Sequence, residues 1–431
     1  MPAQVLDPLE ALRLLTTRLY PKKPAAFPVD EAPEGFLSRG VDWALELVGP
    51  QPAGRRALRD GYAFFREAWK GDELRVLGVL TAGASLDLGG KPIPARSEPS
   101  ADEGSVWRVE TGAILPADVV AFLPVSSVTI VGPGRIRVGE TAEAPGADRN
   151  GESLPGLRAR FPAGTRLGAR LRALLQSAGI SQVELVPPFP VGFATVGDEL
   201  MDLGALCEGG QRGEGEKAEH RPDLTAPDLE TSIRRIGLTP VALGILPDSP
   251  TVLHDTVIRA KERRLEVVIL AGGLGEGLAD RTIEALKRVE ADFIIQGLDL
   301  DGCSRFVFAK AYDLDILALG GLPFEAAAGM DLFVRPALCS RLGAPRSLWD
   351  WSRISWHCEP SGDLRRTGRT EGAWRLFPAA MVPDKAGAPK VRLRKALTPF
   401  HPTAEGQEGW AVVPPTASSE AEPTLVHFQP L

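Results

Sequence analysis

Residues 267–280 have the sequence VVILAGGLGEGLAD, which decides the fold class predicted for this chain. The aliphatic start, rich in β-branched residues, predicts a strand that is buried on both faces. Four glycines end this strand within six positions; they are Gly272, Gly273, Gly275 and Gly277. Glycine lets the backbone approach a ligand closely, and a helix predicted to begin near Leu278 would present free N–H groups to an anion.

Asp280, the acid that ends this stretch, has two interpretations. The glycine spacing is not that of the G-x-G-x-x-G dinucleotide fingerprint, and the Lys-Ser/Thr of a Walker A loop is missing. In the plain interpretation the glycines form a tight strand-to-helix turn, and the helix dipole favours an acid in the first turn. In the functional interpretation the glycine loop holds an anion and Asp280 belongs to the site. The stretch by itself leaves both open.

Apolar runs and helical patterns alternate from about residue 188 to residue 336. The runs are PVGFATV, PVALGIL, LEVVILAG, DFIIQG and DILALG, and the helical patterns between the first four lie at 229–236, 253–261 and 281–289. Continuous apolar strands that alternate with helices predict a parallel sheet covered by helices on both faces. In such sheets ligands bind at the carboxyl ends of the strands, which is where the glycine loop lies.

The rest of the chain is predicted to be mainly β structure. Residues 8–20 have the pattern of an amphipathic helix, whereas short strands alternate with glycine and proline turns from about residue 60 to residue 143. The last ~90 residues return to short strands with many prolines. Residues 207–222, polar and rich in glycine, are predicted to form a mobile loop. The predicted fold class is therefore α/β plus β, in several domains.

Charge and composition exclude several classes of partner. The net charge of −7 argues against a nucleic-acid or anionic-membrane partner, since either needs a clustered basic face. No signal peptide is predicted, and no apolar run approaches the ~20 residues of a transmembrane helix. The four cysteines are widely separated, so we expect reduced thiols in a cytoplasm rather than a zinc cage or a disulfide framework. Any bound metal would be a hard ion on oxygen ligands.

Acidic residues also follow the other predicted strands. Glu199 comes after the first strand, in ATVGDEL, and Asp248 comes after the second, in GILPDSP. In a parallel sheet these side chains and Asp280 would gather along one edge. Carboxylates crowded at one edge repel each other unless a divalent cation or a hydrogen-bonding ligand neutralises them. Asp248 also has a plain interpretation as the N-cap of a helix that begins at Pro250.

Several motifs, in this order, resemble those of one known family. The C-terminal half carries GDEL, then PD after a strand, then GG-x-x-x-G-x-x-D, then GLP. In the N-terminal half, RDGYA (59–63) resembles the family's MDGYA, and ETGAILPADVV (110–120) resembles its TGA-x-x-P-x-x-A-D-x-V segment. IRVGETAEAPG followed by FPAGTRL is similar to its arginine and GED stretch. The chain thus resembles the molybdopterin molybdotransferases, the family of MoeA and the gephyrin E-domain, from about residue 8 to residue 340.

The resemblance implies a function and a set of site residues. Members of that family use Mg²⁺ to insert molybdate into adenylylated molybdopterin and release AMP. Their cleft lies between the α/β domain of one subunit and the DGYA-bearing β module of its partner in a homodimer, and other cofactor-assembly proteins are possible partners. The catalytic residues implied are Asp60, Thr111, Glu199, Asp248 and Asp280, of which the last three would hold Mg²⁺. The ligand-binding residues implied are Gly272, Gly273, Gly275, Gly277, Arg305, Gly321 and Pro323.

The same resemblance divides the chain into domains. Residues 1–55 and 144–170 would form an elongated N-terminal region. A β-rich module of residues 56–143, with the DGYA and TGA motifs, would be inserted into it. Residues 171–340 would form a three-layer, parallel-sheet domain like a molybdopterin-binding domain, and residues 341–431 a small β-barrel-like domain.

Two departures from the family's pattern affect the predicted ligand site. The family's K-P-G-K-P loop, whose lysines face the anionic substrate, reads LDLDGCSR here, with Asp299 and Asp301 in place of cations. Arg305 is therefore expected to be the only basic group nearby. The family's GLPGNP becomes GLPFEA, which places Phe324 and Glu325 where glycine and asparagine approach the ligand.

Two hypotheses about function follow. The first is a divergent molybdotransferase, which the acidic set at the strand ends favours. The second is a non-catalytic relative that binds the pterin or serves as a scaffold in cofactor assembly, which the loss of the lysines favours because like charges weaken the binding of an anion.

Overall fold

The chain is described here from a computed structural model, and it divides into two units. The model describes residues 5–19, 22–44, 57, 59–65, 72–82, 84–87, 104–113, 115–116, 119–139, 158–177, 179–202, 220–275, 281–359, 373–384, 386–394, 406–415 and 425–431. The predictions for Gly277, Asp280 and most of the polar loop, at 207–219, fall outside these residues. The first unit comprises Met1–Val41, Pro162–Arg172 and Gln182–Leu431, and the second comprises Asp42–Phe161 and Ala173–Ser181. Among the helices of the described residues, none is long and apolar enough to cross a membrane.

The elements are numbered along the chain. The described α-helices are α1 (Pro8–Arg18), α2 (Ala169–Ser177), α3 (Thr225–Ile236), α4 (Pro250–Glu262), α5 (Arg281–Arg288), α6 (Pro323–Gly329) and α7 (Arg335–Arg341), with a π turn at Met330–Val334 between the last two. The described strands are β1 (Ala25–Pro28), β2 (Val41–Ala44), β3 (Gly61–Phe64), β4 (Glu73–Thr81), β5 (Ala84–Asp87), β6 (Ser105–Val109), β7 (Ala121–Pro124), β8 (Val128–Gly132), β9 (Arg135–Val138), β10 (Arg158–Phe161), β11 (Gln182–Leu185), β12 (Pro190–Val196), β13 (Leu200–Met201), β14 (Arg221–Pro222), β15 (Thr239–Leu246), β16 (Val267–Gly272), β17 (Asp292–Gln296), β18 (Leu300–Asp301), β19 (Phe306–Ala311), β20 (Leu314–Leu319), β21 (Ser355–His357), β22 (Trp374–Pro383), β23 (Pro389–Leu393), β24 (Gly409–Val413) and β25 (Leu425–Pro430).

The first unit is built on a sheet of six described strands in the order β15-β12-β16-β20-β19-β17. β15, β12, β16 and β20 run parallel, with Val191 beside Val267 and Val267 beside Asp315 in the register. The strand that ends in the glycine loop, β16, lies inside the sheet and is buried along its whole length. Its continuous aliphatic sequence predicts this position, since a strand covered on both faces has no polar side to present.

The prediction of an all-parallel sheet is wrong at β19, which is antiparallel to both of its neighbours, β20 and β17. Only Tyr312 and Asp313 join β19 to β20. A two-residue loop joins antiparallel strands, because parallel strands need a crossover of a dozen or more residues. Tyr312 accordingly adopts a positive φ of 57°. The sheet is therefore mixed, with its parallel part on the side of the glycine loop.

Helices cover both faces of this sheet, as the alternation of patterns predicts. On one face Ile269 belongs to a cluster that includes Leu229 of α3 and residues of α1, α6 and α7. On the other face Leu270 belongs to a cluster that includes Leu253 of α4 and Leu286 of α5. Burial of one such side chain contributes about 1.5–3 kcal/mol. These two layers hold the sheet and so fix the positions of its carboxyl ends.

A continuous helical segment follows β20 and contains a proline. Pro336 has no N–H to donate to the carbonyl of Leu332, four residues earlier. Trp351, which follows the segment, donates from its buried indole Nε1 to Leu332 O at 2.8 Å. The segment thus passes through the proline with this backbone acceptor satisfied.

Strands near the C-terminus form a second sheet of the first unit, in the order β18-β22-β24-β25-β21, with β23 on β22. An isolated bridge between Cys358 and Val391 also joins the end of β21 to β23. Phe324 of α6 packs edge-on against Trp410 of β24, with 5.0 Å between the ring centroids. This contact connects the region after β20 to the C-terminal sheet.

The second unit consists mainly of a sheet in the order β7-β3-β6-β4-β9-β8, with β5 on β4. Most of these pairs are antiparallel, although β4 and β6 are parallel. Phe64, Val106 and Ile136 lie in one of its apolar clusters. The short strands and turns predicted for this part of the sequence are therefore present.

Candidate functional site

The carboxyl ends of β12, β16 and β20 enclose a cleft of about 430 Å³. Val196 ends β12, and Gly272 ends β16; both line the cleft, together with Gly273 and Gly275 of the glycine loop. Gly321, which follows β20, also lines the cleft and lies next to Gly272. The structure thus places a cleft at the strand ends at which the sequence predicts a ligand.

Gly272 is required where β16 meets β12. Its φ is +112°, and a Cβ built there would lie 2.1 Å from the carbonyl oxygen of Val196. The helix that follows is fastened to the same place, since Thr282 donates from its buried hydroxyl to Gly272 O at 3.1 Å. The backbone N–H of Thr282 also donates to Gly273 O, at 3.1 Å. Close approach of two strand ends therefore explains the first glycine.

Two of the predicted acids, Glu199 and Asp248, line the cleft. The Asp248 backbone N–H donates to Asp198 Oδ1 at 3.2 Å, which holds the two strand ends together. The interpretation of Asp248 as an N-cap is wrong: the cap of α4 is Ser249, whose hydroxyl accepts from Val252 N. The side chain of Asp248 is therefore not used to cap that helix.

Like charges surround Asp248. Burial raises the pKa of the Asp248 carboxyl above its usual value, and the negative charges of Asp198 and Glu199 raise it further. A hydrogen bond from the Asp198 backbone and the positive charge of Arg281 act in the opposite direction. The carboxylates at this edge thus repel each other, as the sequence predicts.

No group of three metal-ligating side chains comes together among the described residues. Glu199 instead pairs with Arg221, whose Nη2 donates to Glu199 Oε1 at 2.9 Å. Asp280, the third predicted ligand, lies outside the described residues. Oxygen donors beside mutually repelling carboxylates fit a hard divalent cation in their chemistry, although the described side chains alone do not complete its coordination.

The expectation that Arg305 is the only basic group near the ligand is wrong. Arg221, Arg281 and Arg305 all line the cleft. Arg221 belongs to β14, Arg281 begins α5, and Arg305 precedes β19, so the three come from separate segments of the first unit. Their side chains are 48%, 43% and 31% exposed, and each can therefore meet a ligand.

The two segments that depart from the family's pattern, LDLDGCSR and GLPFEA, contact each other in the structure. Arg305 Nη2 forms a close ion pair with Glu325 Oε2. Glu325 is in the first turn of α6, which begins with Pro323 at a position where a missing N–H is tolerated. Only 13% of its side chain is exposed, so a largely buried carboxylate holds Arg305 beside the cleft.

Neither Asp299 nor Asp301 belongs to the described lining of the cleft. The backbone N–H of Asp299 donates to Leu6 O at 2.8 Å. Asp301 is in β18, which pairs with β22 of the C-terminal sheet and places it beside Arg375. The backbone at both acids that replace lysines in the sequence pattern thus pairs with other parts of the unit.

A buried hydrogen-bond network beside this edge was missed in the sequence. Thr195 of β12 donates from its hydroxyl to Asp223 Oδ2 at 2.5 Å, and both residues are buried. The other oxygen of Asp223 accepts from the backbone of Thr225 and Ala226, at 2.9 and 3.0 Å, in the first turn of α3. An aspartate just before a helical pattern is a capping signal and could have identified Asp223.

In the second unit the structure brings Asp60 and Thr111 together. The backbone N–H and the hydroxyl of Thr111 both donate to Asp60 Oδ1, at 2.8 Å each. These two hydrogen bonds hold the pKa of Asp60 below its usual value, although the carboxylate is exposed. The pair thus presents, on the surface of its unit, a carboxylate whose charged form is favoured by two hydrogen bonds.

Comparison with known proteins points to one family. Residues 192–340 match the family model described as a probable molybdopterin binding domain. The molybdopterin molybdenumtransferase of Haemophilus influenzae is 25% identical over 311 residues, which cover 70% of each chain. Molybdopterin molybdenumtransferase 1 of Mycobacterium tuberculosis is 26% identical over 324 residues, which cover 71% of this chain and 72% of its own.

A solved structure shares the fold over the whole chain. The molybdopterin biosynthesis MoeA protein of Pyrococcus horikoshii aligns with a TM-score of 0.58 at 18% identity, and the alignment covers 99% of this chain and 100% of that chain. The order of motifs along the sequence, the matched domain and this fold agree with one another. The chain is therefore similar to the molybdopterin molybdenumtransferases, from which its sequence has diverged.

Proposed function

We propose that this chain inserts molybdate into adenylylated molybdopterin and releases AMP, as a transferase of molybdenum cofactor biosynthesis. The observation that carries the proposal is the cleft, in which a glycine loop, two strand-end acids and three arginines face one volume. The match of residues 192–340 and the molybdenumtransferases to which the chain is similar support the same function.

The glycines of the cleft are assigned to the pterin ligand. Gly272, Gly273, Gly275 and Gly321 line the cleft, and glycine lets a bulky anion approach the backbone. Gly277 and Pro323 complete the predicted ligand-binding set. Pro323 begins α6 two residues after Gly321. This position supports a role for Pro323 in fixing the backbone next to Gly321.

Glu199, Asp248 and Asp280 are proposed to hold Mg²⁺. Support comes from the position of Glu199 and Asp248 in the cleft and from the raised pKa of Asp248, which is due first to burial and then to the charges of Asp198 and Glu199; a bound cation relieves such repulsion. When bound, the cation supplies neutralisation of the charge that the oxyanion and the phosphate bring together. The chain's own contribution is orientation of the reactants and fixed charge, and a protein nucleophile is not required.

Asp60 and Thr111 are proposed to act in the cleft of a partner subunit, in a homodimer. The support is their mutual geometry, because a carboxylate that Thr111 holds with two hydrogen bonds is preorganised for contact with a ligand. The same proposal includes the domain boundaries given above and a barrel-like C-terminal domain. It also includes contacts with other cofactor-assembly proteins and a cytoplasmic location. Free thiols at Cys303, Cys339 and Cys358 support the reducing location.

We favour the enzyme over the scaffold. The scaffold hypothesis rests on the loss of the family's lysines from one loop, and the cleft has other basic groups. Three arginines line the cleft, and the acids Asp299 and Asp301 are not among its described lining residues. A cleft of this charge suits an anionic substrate.

Release of AMP tests the proposal directly. Purified protein is mixed with adenylylated molybdopterin and Mg²⁺, molybdate is added, and AMP is measured by chromatography. We expect AMP to appear only when molybdate is present and to fall strongly in Asp248→Asn. Asp255→Asn, an exposed acid on α4, is the matched control and should retain activity. A protein that binds the pterin tightly but releases no AMP would support the scaffold instead.

A further inference from the structure

We propose that anion recognition in this cleft has moved from the lysine loop to Arg221, Arg281 and Arg305, and that a bound diphosphate displaces the carboxylates that hold these arginines. The inference rests on the proposed function for the identity of the natural ligand, adenylylated molybdopterin, whose two phosphate groups form a diphosphate. It names three specificity-determining residues, two of which lie outside the segments in which the sequence pattern places ligand contacts.

The first step is the position of the three guanidinium groups. Arg221, Arg281 and Arg305 come from three separate segments and line the same cleft of about 430 Å³. Groups that approach from separate segments can contact different oxygens of one ligand. A guanidinium carries several donors in a planar fork that matches phosphate oxygens, so three of them suit a ligand with more than one anionic group.

The second step is the charge of the cleft. Among its described lining residues the three arginines face two carboxylates, Glu199 and Asp248. Arg281 lies close enough to Asp248 to lower the pKa of that carboxyl, which places positive charge beside the strand-end acids. The lining of the cleft thus combines three guanidinium groups with the acids that the proposed cation requires.

The third step is that each arginine already has an acidic partner. Arg221 contacts Glu199 at 2.9 Å, Arg305 contacts Glu325, and Arg281 lies 3.7 Å from Glu284. These pairs hold the guanidinium groups near the cleft before a ligand arrives. A diphosphate carries two or more negative charges and several acceptor oxygens, so it competes well with a single carboxylate. We therefore expect each arginine to leave its carboxylate when the ligand binds.

Glu325 makes this exchange measurable. It lies in the GLPFEA segment, is largely buried, and directs its carboxylate to Arg305. Removing its charge should release Arg305 for the ligand and strengthen binding, whereas removing Arg305 should weaken it. Opposite effects from the two members of one ion pair are not expected if the pair only supports the fold.

The experiment measures binding of inorganic pyrophosphate and of AMP by titration calorimetry at two salt concentrations. The variants are Arg221→Gln, Arg281→Gln, Arg305→Gln and Glu325→Gln. Each arginine variant should weaken pyrophosphate binding by about tenfold to a hundredfold, the range of one charge-assisted contact. AMP, with a single phosphate, should lose less. The salt dependence of pyrophosphate binding should also decrease in each arginine variant.

The control is Arg234→Gln, which removes an arginine of the same unit that pairs with Glu230 at 2.6 Å on α3, away from the cleft. We expect unchanged affinity for this variant and tighter pyrophosphate binding for Glu325→Gln. The inference is overturned if the three cleft arginine variants bind pyrophosphate like the control, or if wild-type protein does not bind it. A general loss of folding is recognised because it cannot produce tighter binding in Glu325→Gln.

The two proposals fail separately. Wild-type protein that releases AMP, with arginine variants that bind and react normally, leaves the function standing and overturns the inference. Arginine-dependent binding of pyrophosphate in a protein that releases no AMP supports the inference and refutes the transferase reaction.

Discussion

Replacing Gly272 by alanine tests how the strand ends build the cleft. An alanine Cβ would lie 2.1 Å from Val196 O and 3.1 Å from Val196 C, which no real contact of this kind permits. The φ of +112° is in addition a conformation that residues with a Cβ rarely adopt. The variant must therefore shift β16 away from β12, at the place where both line the cleft.

The magnitude follows from two separate effects. A backbone conformation of this kind costs about 1–3 kcal/mol for a residue other than glycine. Forcing an extra carbon into a packed site costs about another 1–3 kcal/mol. We therefore expect Gly272→Ala to lower the free energy of unfolding by about 2–6 kcal/mol, the sum of the two ranges.

Gly237 offers a matched control. Gly237 ends α3 in a left-handed cap and therefore also has a positive φ, +93°. A Cβ built on Gly237, however, meets nothing within 4 Å. Gly237→Ala should cost only the backbone part, and the difference between the two variants isolates the contact with Val196.

The assay is urea denaturation of both variants and the wild type, followed by circular dichroism. A second measurement is pyrophosphate binding, which should be weakened in Gly272→Ala and unchanged in Gly237→Ala. Equal losses of stability in the two variants would refute the reasoning, because the predicted clash would then have no effect.

Three further predictions concern single residues. Burial, with the nearby charge of Asp331, raises the pKa of Asp228 to about 6, so the stability gained from its neutral form is complete below pH ~4 and is lost as the pH rises through about 6. Asp228→Asn should therefore gain up to about 3 kcal/mol relative to the wild type at pH 8 and lose this pH dependence. The same difference in unfolding free energy between variant and wild type at pH 4 and at pH 8 would contradict it. Trp351→Phe leaves Leu332 O without its indole donor, and we expect a loss of about 1–3 kcal/mol in the same assay, more than for Trp356→Phe. Asp280→Asn should reduce Mg²⁺-dependent AMP release steeply with little change in melting temperature, because the role proposed for Asp280 is to hold a cation; unchanged release in an active protein would remove Asp280 from the site, and a large drop in melting temperature would favour the structural interpretation.

The local features of the parallel sheet could be predicted from the sequence. β16 is a run of aliphatic residues, and α3, α4 and α5 each have a helical pattern, so their hydrophobic periods are visible without knowledge of the fold. Asp60 and Thr111 could be paired only through the resemblance of their motifs, since 51 residues separate them. Their hydrogen bonds agree with that pairing and leave their role in a cleft as a proposal.

Two local predictions depended on geometry that the sequence does not contain. Asp248 and Ser249 are neighbours, and both residue types cap helices well. The extended backbone of Ser249, with φ −121° and ψ 116°, decides that its hydroxyl reaches Val252 N. The direction of β19 is set by the two-residue loop that follows it, which the alternation of apolar runs and helical patterns does not show.

The number of arginines in the cleft was decided by tertiary structure. The sequence determined that a glycine loop and acids follow apolar strands, because a strand and its end are contiguous in the chain. It did not determine which cations face them, since Arg221, Arg281 and Arg305 are far apart in sequence and meet only at one edge of the sheet. Charges interact through space, over a few ångströms, and not along the chain. A count of lysines lost from one loop therefore predicted an unfavourable site, and the order of the strands placed three arginines there instead.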